Sequence, residues 1–170
     1  MNINLLPLAE DVPYLAEAVT VYTEYSGGDP RYNLHFFKIH MKRDDYIGLA
    51  AQVNGQIVGI GFGSQAQRGQ WWREKVAYEI GSNHPALENA WVLTQLNVLE
   101  TYRSQGIGGE IHDALIAQQP CKQALLSTPI SNTGAQEFYA RHGWKVLHPG
   151  FAFARDAEPY MILQLQVVGD

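Results

Sequence analysis

The sequence predicts an α/β protein in which helices cover a mixed sheet, in the order β-α-α-β-β-β-α-β-α-β-β. Three observations lead there. Apolar residues recur at helical spacing in four separate segments. Two apolar runs, IGLAAQV and QIVGIGFG, flank Asn54-Gly55, the strongest short-range hairpin signal. Finally, 46% of the 170 residues are hydrophobic and no repeat or low-complexity linker interrupts them, so one continuous core and a single domain over residues 1–170 are expected.

Residues 3–8 (INLLPL) read as a short edge strand with Pro7 near its end. Asp11 offers an N-cap, Pro13 suits a first helical turn, and Leu15, Ala18, Val19 and Tyr22 follow at helical spacing. Ser26 to Pro30 breaks this helix, and a second is predicted over 31–45 with Leu34, Phe37 and Met41 on one face. The hairpin strands occupy 47–65. Residues 66–90 are polar, with Trp71, Trp72 and Tyr78 embedded, and fit no element of the predicted order. Trp91 to Leu99 has strand composition. Ile107, Ile111 and Leu115 mark a helix ending before Pro120, and Ala124 to Ile130 reads as a buried strand. A helix over 133–143, with Ala135, Phe138 and Tyr139 inward, precedes closing strands at 144–153 and 160–168.

Composition excludes several classes. A net charge of -5 opposes nucleic-acid binding, which needs a basic surface to neutralise phosphates, and is compatible with a cationic substrate. Cys121 is the sole cysteine, so no internal disulfide forms, as suits a reducing cytoplasm. Met1 to Glu10 lacks the basic start and long apolar run of a signal peptide, and no stretch has the length of a membrane span. A soluble, cytoplasmic protein is expected. The six histidines show no metal-ligand pair, since His35 and His40 are five apart and off a common helical face.

The segment Leu96 to Leu115 (LNVLETYRSQGIGGEIHDAL) holds the chemistry. A strand enters a turn containing Arg103, Gly106, Gly108 and Gly109, and a helix leaves it. Unpaired N–H groups and a partial positive charge gather at a helix start, and glycines allow a bulky anion to approach the backbone. Such a turn makes a pyrophosphate cradle, with Arg103 adding charge-assisted bonds. Equally, these glycines can serve only to shape a strand-to-helix turn. There is no Lys-Ser/Thr pair as in a nucleotide P-loop, and the spacing is not that of a dinucleotide fold.

RSQGIG follows the Arg/Gln-x-x-Gly-x-Gly/Ala signature and resembles the GNAT superfamily of N-acetyltransferases. ISNTGAQEFYARHGW (130–144) resembles that family's second motif, with Asn132, Ala135, Phe138, Tyr139, Gly143 and Trp144 on the pattern. The resemblance implies a GNAT-type fold with a mixed, mostly antiparallel sheet, and acetyl-CoA as cosubstrate with no metal. It implies that the backbone of Leu96 to Val98 meets the pantetheine arm and thioester, with an N–H near Val98 polarising the thioester carbonyl. Arg103, Ser104, Gln105, Gly106, Ile107, Gly108 and Gly109 would hold the pyrophosphate. Asn132 would meet the pantetheine, although an Asn before Thr133 is also an N-cap candidate. Tyr139 resembles the general acid that protonates the departing thiolate, a role suited to a phenol of pKa about 10; its alternative is packing beside Phe138.

The resemblance supplies no general base. Relatives often carry Glu three residues before the valine matched by Val98, and this chain has Gln95. Glu79, Glu88, Glu100 or a water chain remain. The expected activity is direct transfer of an acetyl group to a primary amine of a small molecule or peptide, by a monomer or homodimer. The alternative is a GNAT-like acyl-CoA-binding regulatory module without turnover. Residues 67–90 are the expected acceptor region, because Trp71, Trp72 and Tyr78 alternate with Glu74, Glu79 and Glu88, and both aromatic faces and carboxylates attract ammonium. Trp72, Val76 and Ile80 also stand at helical spacing, which would pin a surface helix instead.

Overall fold

Two glycines on one strand decide where a helix can lie. In the computed structural model, which describes residues 1–167, a Cβ on Gly61 would stand 2.6 Å from Ile111 Cγ2 and 2.8 Å from Leu115 Cδ1. One on Gly59 would stand 3.0 Å from Ile111 Cδ1 and 3.2 Å from Ile107 Cγ2. The helix carrying Ile107, Ile111 and Leu115 therefore rests on strand backbone, closer than side chains would permit.

The described elements are β1 (Asn4–Pro7), α1 (Leu15–Ser26), α2 (Pro30–Met41), β2 (Ile47–Val53), β3 (Gln56–Gln65), α3 (Trp71–Ile80), β4 (Ala90–Val98), α4 (Ile107–Gln118), β5 (Gln123–Pro129), α5 (Thr133–Arg141), β6 (Lys145–Ala152) and β7 (Pro159–Gln166). Short 3-10 turns at Pro85–Leu87 and Glu100–Tyr102 flank β4. The α/β class and the mixed sheet agree with the sequence expectation. No helix among the described residues is long and apolar enough to cross a membrane.

The residues group into two compact units: Met1–Ser64 with Leu93–Gln119, and Gln65–Val92 with the chain from Pro120 onward. In the first, β1 pairs antiparallel with β2, and β2 with β3. The β2–β3 turn is Asn54-Gly55, with φ 50° and 84°, as a two-residue type I′ hairpin requires. Helices α1 and α2 bury Val19, Val21 and Phe37 with Ile60 and Phe62 of β3. In the second, β5 pairs in parallel with the opening of β4 (Ala90↔Gln123, Trp91↔Ala124, Val92↔Leu125) and antiparallel with β7, which pairs with β6. Its core gathers Val76, Ala77, Leu87, Leu125 and Ile162.

Several boundaries differ from expectation. Asp11 does not cap α1: the chain turns at Val12 to Tyr14, with Leu15 N–H donating to Val12 O, and the helix starts four residues later. Pro13 thus lies in the turn before the helix. The break between the first two helices is confined to Gly27–Asp29, and Pro30 itself opens α2, where Asp29 accepts from Arg31 N–H as its cap. That helix stops at Met41, short of residue 45, because Asp45 is left-handed (φ 53°) on the approach to β2. The predicted order has no helix between the third and fourth strands, and the structure has α3 there. It is the surface helix that the spacing of Trp72, Val76 and Ile80 allows: Val76 and Ala77 are buried, and Trp72 and Ile80 pack against the same core. Helix α5 has no fully buried residue; Ala135, Phe138 and Tyr139 are half-buried. The last strand ends at Gln166, and Val168, its predicted end, lies outside the described residues.

His40 of α2 is 7% exposed, its ring against Phe36 (4.5 Å between centroids) and Phe62 (5.6 Å). Burial, with the nearby Arg43 charge adding to it, pushes the imidazole from 6.5 down to about 4. The folded protein thus holds His40 neutral where the unfolded chain binds a proton. Stability from this residue is complete above about pH 6.5 and is lost as pH falls towards 4, by up to roughly 3 kcal/mol. Denaturant titrations from pH 7 to 4 should show a steeper loss for the native protein than for His40→Phe. Parallel profiles would contradict a buried neutral imidazole.

Candidate active site

From Leu93 onward, β4, the turn after it and the first turn of α4 form one continuous piece of the first unit. It contains Leu96, Val98, Arg103, Ser104, Gln105, Gly106, Ile107, Gly108 and Gly109. Leu96 and Val98 are half-buried, and Arg103 to Gly106 are exposed. Two residues of the turn are left-handed, Ser104 (φ 59°) and Gly106 (φ 86°), and they swing the chain sharply from strand to helix. Ile107, 1% exposed, anchors the start of α4 against Gly59. No side chain caps α4, so its first-turn N–H groups face outward without a side-chain acceptor. Two side-chain bonds hold the turn: Arg103 Nε–H donates to Val98 O (3.1 Å) and Gln105 Nε2–H to Thr101 O (3.1 Å). A guanidinium has five N–H donors, so the bond to Val98 does not exhaust Arg103. An exposed, uncapped helix start behind a left-handed turn fits a phosphate-bearing ligand such as coenzyme A.

The strand offers more than the sequence indicates. Asn97, 8% exposed, has its Oδ1 buried without a hydrogen-bond partner, as does Nδ1 of His40. Leu96 Cδ1 lies 3.3 Å from the Cβ that Gly61 lacks, on the α4 side of the sheet, so strand alternation turns Gln95 and Asn97 to the opposite face. A buried acceptor without a donor costs about 1–3 kcal/mol, which marks Asn97 as a residue to explain. Nothing in the sequence distinguishes it from an ordinary strand residue.

The other two site residues lie on α5 in the second unit. Asn132 is the N-cap: its Oδ1 accepts from Ala135 N–H at 3.1 Å. The Tyr139 ring meets Phe138 (5.2 Å) and Trp144 (5.6 Å) edge-on, and Trp144 N–H donates to Tyr139 O. Of the carboxylates considered as bases, Glu79, Glu88 and Glu100 are all exposed. Glu100 N–H donates to Glu24 Oε1 (3.0 Å).

The segment expected to frame the acceptor contributes α3 as one wall of a cleft in the second unit, about 780 Å³ in volume, whose other wall is the end of β6 and the β6–β7 connection. The two tryptophans divide the work of α3. Trp72 is half-buried and its Nε1–H donates to Ser127 Oγ (2.9 Å), while Trp71 is 60% exposed on the cleft. Glu74 Oε1 accepts from Gly69 N–H (2.9 Å) and Arg73 Nη1 (3.0 Å); chiefly the first bond, then the arginines, hold its carboxyl below the ordinary range.

Because Asn132 caps α5, Asn132→Ala should cost about 1 kcal/mol in denaturant unfolding, and Asn132→Asp, which keeps an acceptor, should cost much less. Equal losses in the two variants would contradict the capping role.

Comparison with known proteins agrees with this geometry. Residues 12–144 match the model of the acetyltransferase (GNAT) family. A GCN5-like protein acetyltransferase of Mycobacterium tuberculosis is 30% identical over 193 aligned positions, spanning 93% of this chain and 94% of the relative. Among solved structures, a GNAT-family acetyltransferase from Bacillus cereus superposes with a TM-score of 0.72 at 15% identity, covering 99% of this chain and 100% of its own. A second, from Elizabethkingia anophelis with acetyl-CoA bound, gives 0.61 at 15% identity, covering 98% and 99%. Family model and relative both run through the β4–α4 turn and the Asn132-to-Trp144 segment, and the chain belongs to the GNAT family of acetyltransferases.

Proposed function

We propose that the chain, as one catalytic domain over residues 1–170, transfers the acetyl group of acetyl-CoA directly to a primary amine of a small molecule or peptide. The observation that carries this reading is the exposed, uncapped start of α4 behind the left-handed Ser104 and Gly106. Bound acetyl-CoA would supply the thioester as acyl donor. The residues from Arg103 to Gly109 would take the pyrophosphate on backbone N–H groups and the Arg103 guanidinium. Leu96 and Val98 would pair their backbone with the pantetheine arm, and an N–H near Val98 would stabilise negative charge gathering on the carbonyl oxygen. Tyr139 would give its phenolic proton to the departing thiolate sulfur. Asn132 already caps a helix, so any contact with pantetheine would use its Nδ2–H groups. Direct transfer needs no metal. The lone Cys121, which is buried, supports a reducing, cytoplasmic setting, and the enzyme would act as a monomer or homodimer.

Gln95 gives a second reading some support. An amide cannot take the proton of an ammonium acceptor, and a domain that binds acyl-CoA as a regulatory signal would not need it to. Thiol release from acetyl-CoA on a panel of amines separates the two: acetylated product supports the enzyme, and tight binding without turnover on any amine supports the sensor.

Two variants test the assignments. Gly108→Val places a branched side chain where the pyrophosphate would approach, and should weaken acetyl-CoA binding at least tenfold, about 1.4 kcal/mol. Unchanged calorimetric affinity in the folded variant would remove the turn from the binding site. Tyr139→Phe keeps the ring and its packing against Trp144, and should lower kcat roughly 10²-fold with coenzyme affinity nearly intact. Normal turnover would leave Tyr139 as a packing residue.

A further inference from the structure

Glu24 makes a bond that its own helix does not need. Its Oε1 accepts from Glu100 N–H at 3.0 Å, across 76 positions of sequence. The carboxylate stands in the last turn of α1, which carries no basic residue, and negative charge there opposes the helix macrodipole. Stability of α1 is therefore no reason for a glutamate at this position. The recipient is the 3-10 turn Glu100–Tyr102, whose N-cap, Leu99, offers no side-chain acceptor to the first N–H groups. A carboxylate from another helix takes that place.

Two elements hold this turn. Leu99 N–H donates to Val58 O of β3 (2.9 Å), and Glu100 N–H to Glu24 of α1. The turn then closes on itself, with Tyr102 N–H donating to Leu99 O (2.9 Å) and Arg103 N–H to Glu100 O (3.2 Å). Glu100 is thus tied to α1 through its N–H and to Arg103 through its carbonyl. Arg103 leads directly into the left-handed Ser104 and Gly106 and the start of α4. The end of α1 is itself fixed from α2. Asn33 Nδ2–H donates to Thr23 Oγ1 (2.8 Å) and to Gly27 O (3.1 Å), on either side of Glu24 in sequence. All these groups belong to the first unit.

A carboxylate does not attract an anion; through space it repels one. Glu24 can favour anion binding only through the geometry it imposes, so charge and tether act with opposite signs. We propose that Glu24 is a positioning residue for the pyrophosphate of acetyl-CoA: its bond to Glu100 N–H fixes the turn that aims Arg103 and the backbone from Ser104 to Gly109. This rests on the acetyl-CoA reading for the identity of the ligand, while the tether itself does not.

The test combines calorimetric titration with acetyl-CoA and hydrogen–deuterium exchange of the ligand-free protein. Glu24→Ala removes the acceptor. It is expected to weaken acetyl-CoA binding about fivefold, the scale of one lost hydrogen bond, and to speed exchange over residues 100–106. Glu24→Gln keeps an oxygen acceptor without the charge, and is expected to stay within about twofold of native affinity, with native exchange. Glu17, two turns earlier on α1, accepts from Ile57 N–H at 3.4 Å and serves as the control. Glu17→Ala removes the same charge from the same helix, and is expected to leave acetyl-CoA affinity native. Both glutamates are exposed, so the variants should fold. Tighter binding in both Glu24 variants, a loss in Glu24→Gln as large as in Glu24→Ala, or an equal loss in Glu17→Ala overturns the proposal. If the native protein does not bind acetyl-CoA, the coenzyme reading falls and the positioning role with it. Native binding that Glu24→Ala leaves unchanged overturns the positioning role alone.

Discussion

The close seating of α4 on β3 governs the position of the turn between β4 and α4. A Cβ at Gly61 would be 2.6 Å from Ile111 Cγ2, inside van der Waals contact, so a side chain there must displace Ile111 and Leu115 or the helix that carries them. Lifting α4 moves Ile107, its first buried residue, and with it the turn that begins at Arg103. The placement of this turn therefore depends on Gly59 and Gly61, some 45 positions earlier in the chain, which contribute absence of bulk. A cradle of backbone N–H groups is useful only if held to within a fraction of an ångström, and packing against bare strand supplies that constraint.

Strand β4 carries a different chemical signal. Gln95 and Asn97 put two amides on the sheet face away from α4, and the Asn97 oxygen is buried with no donor. An amide oxygen can orient an N–H group, yet it cannot accept a proton near neutral pH.

The sequence made the strand–turn–helix piece legible because its signals are local. Glycines, an arginine and the switch from strand composition to helical spacing all fall within twenty residues, and the Asn54-Gly55 hairpin is equally local. The errors arose where tertiary context decides. Asp11 has the right side chain for a cap, but the chain turns through Val12 to Tyr14 before the helix can begin. Helix α3 was legible only as an alternative, through Trp72, Val76 and Ile80, because one stripe of a ten-residue helix is buried and its exposed aromatics imitate core residues. Trp71 and Trp72 look alike in sequence; Ser127, fifty-five residues away, distinguishes them. Asn97 was invisible, since a missing hydrogen bond has no sequence signature.

The bonds from Arg103 to Val98 and from Gln105 to Thr101 have a thermodynamic consequence for ligand capture. A free glycine-rich turn would surrender backbone and side-chain freedom each time a phosphate arrived, at about 1–2 kcal/mol per residue fixed. Here much of that ordering accompanies folding, so less remains to oppose association. Arg103 must still keep or exchange its Val98 partner as an anion approaches. In the proposed reading, capture would be the re-pairing of a guanidinium already in position, with a signature more in the enthalpy of binding than in its entropy.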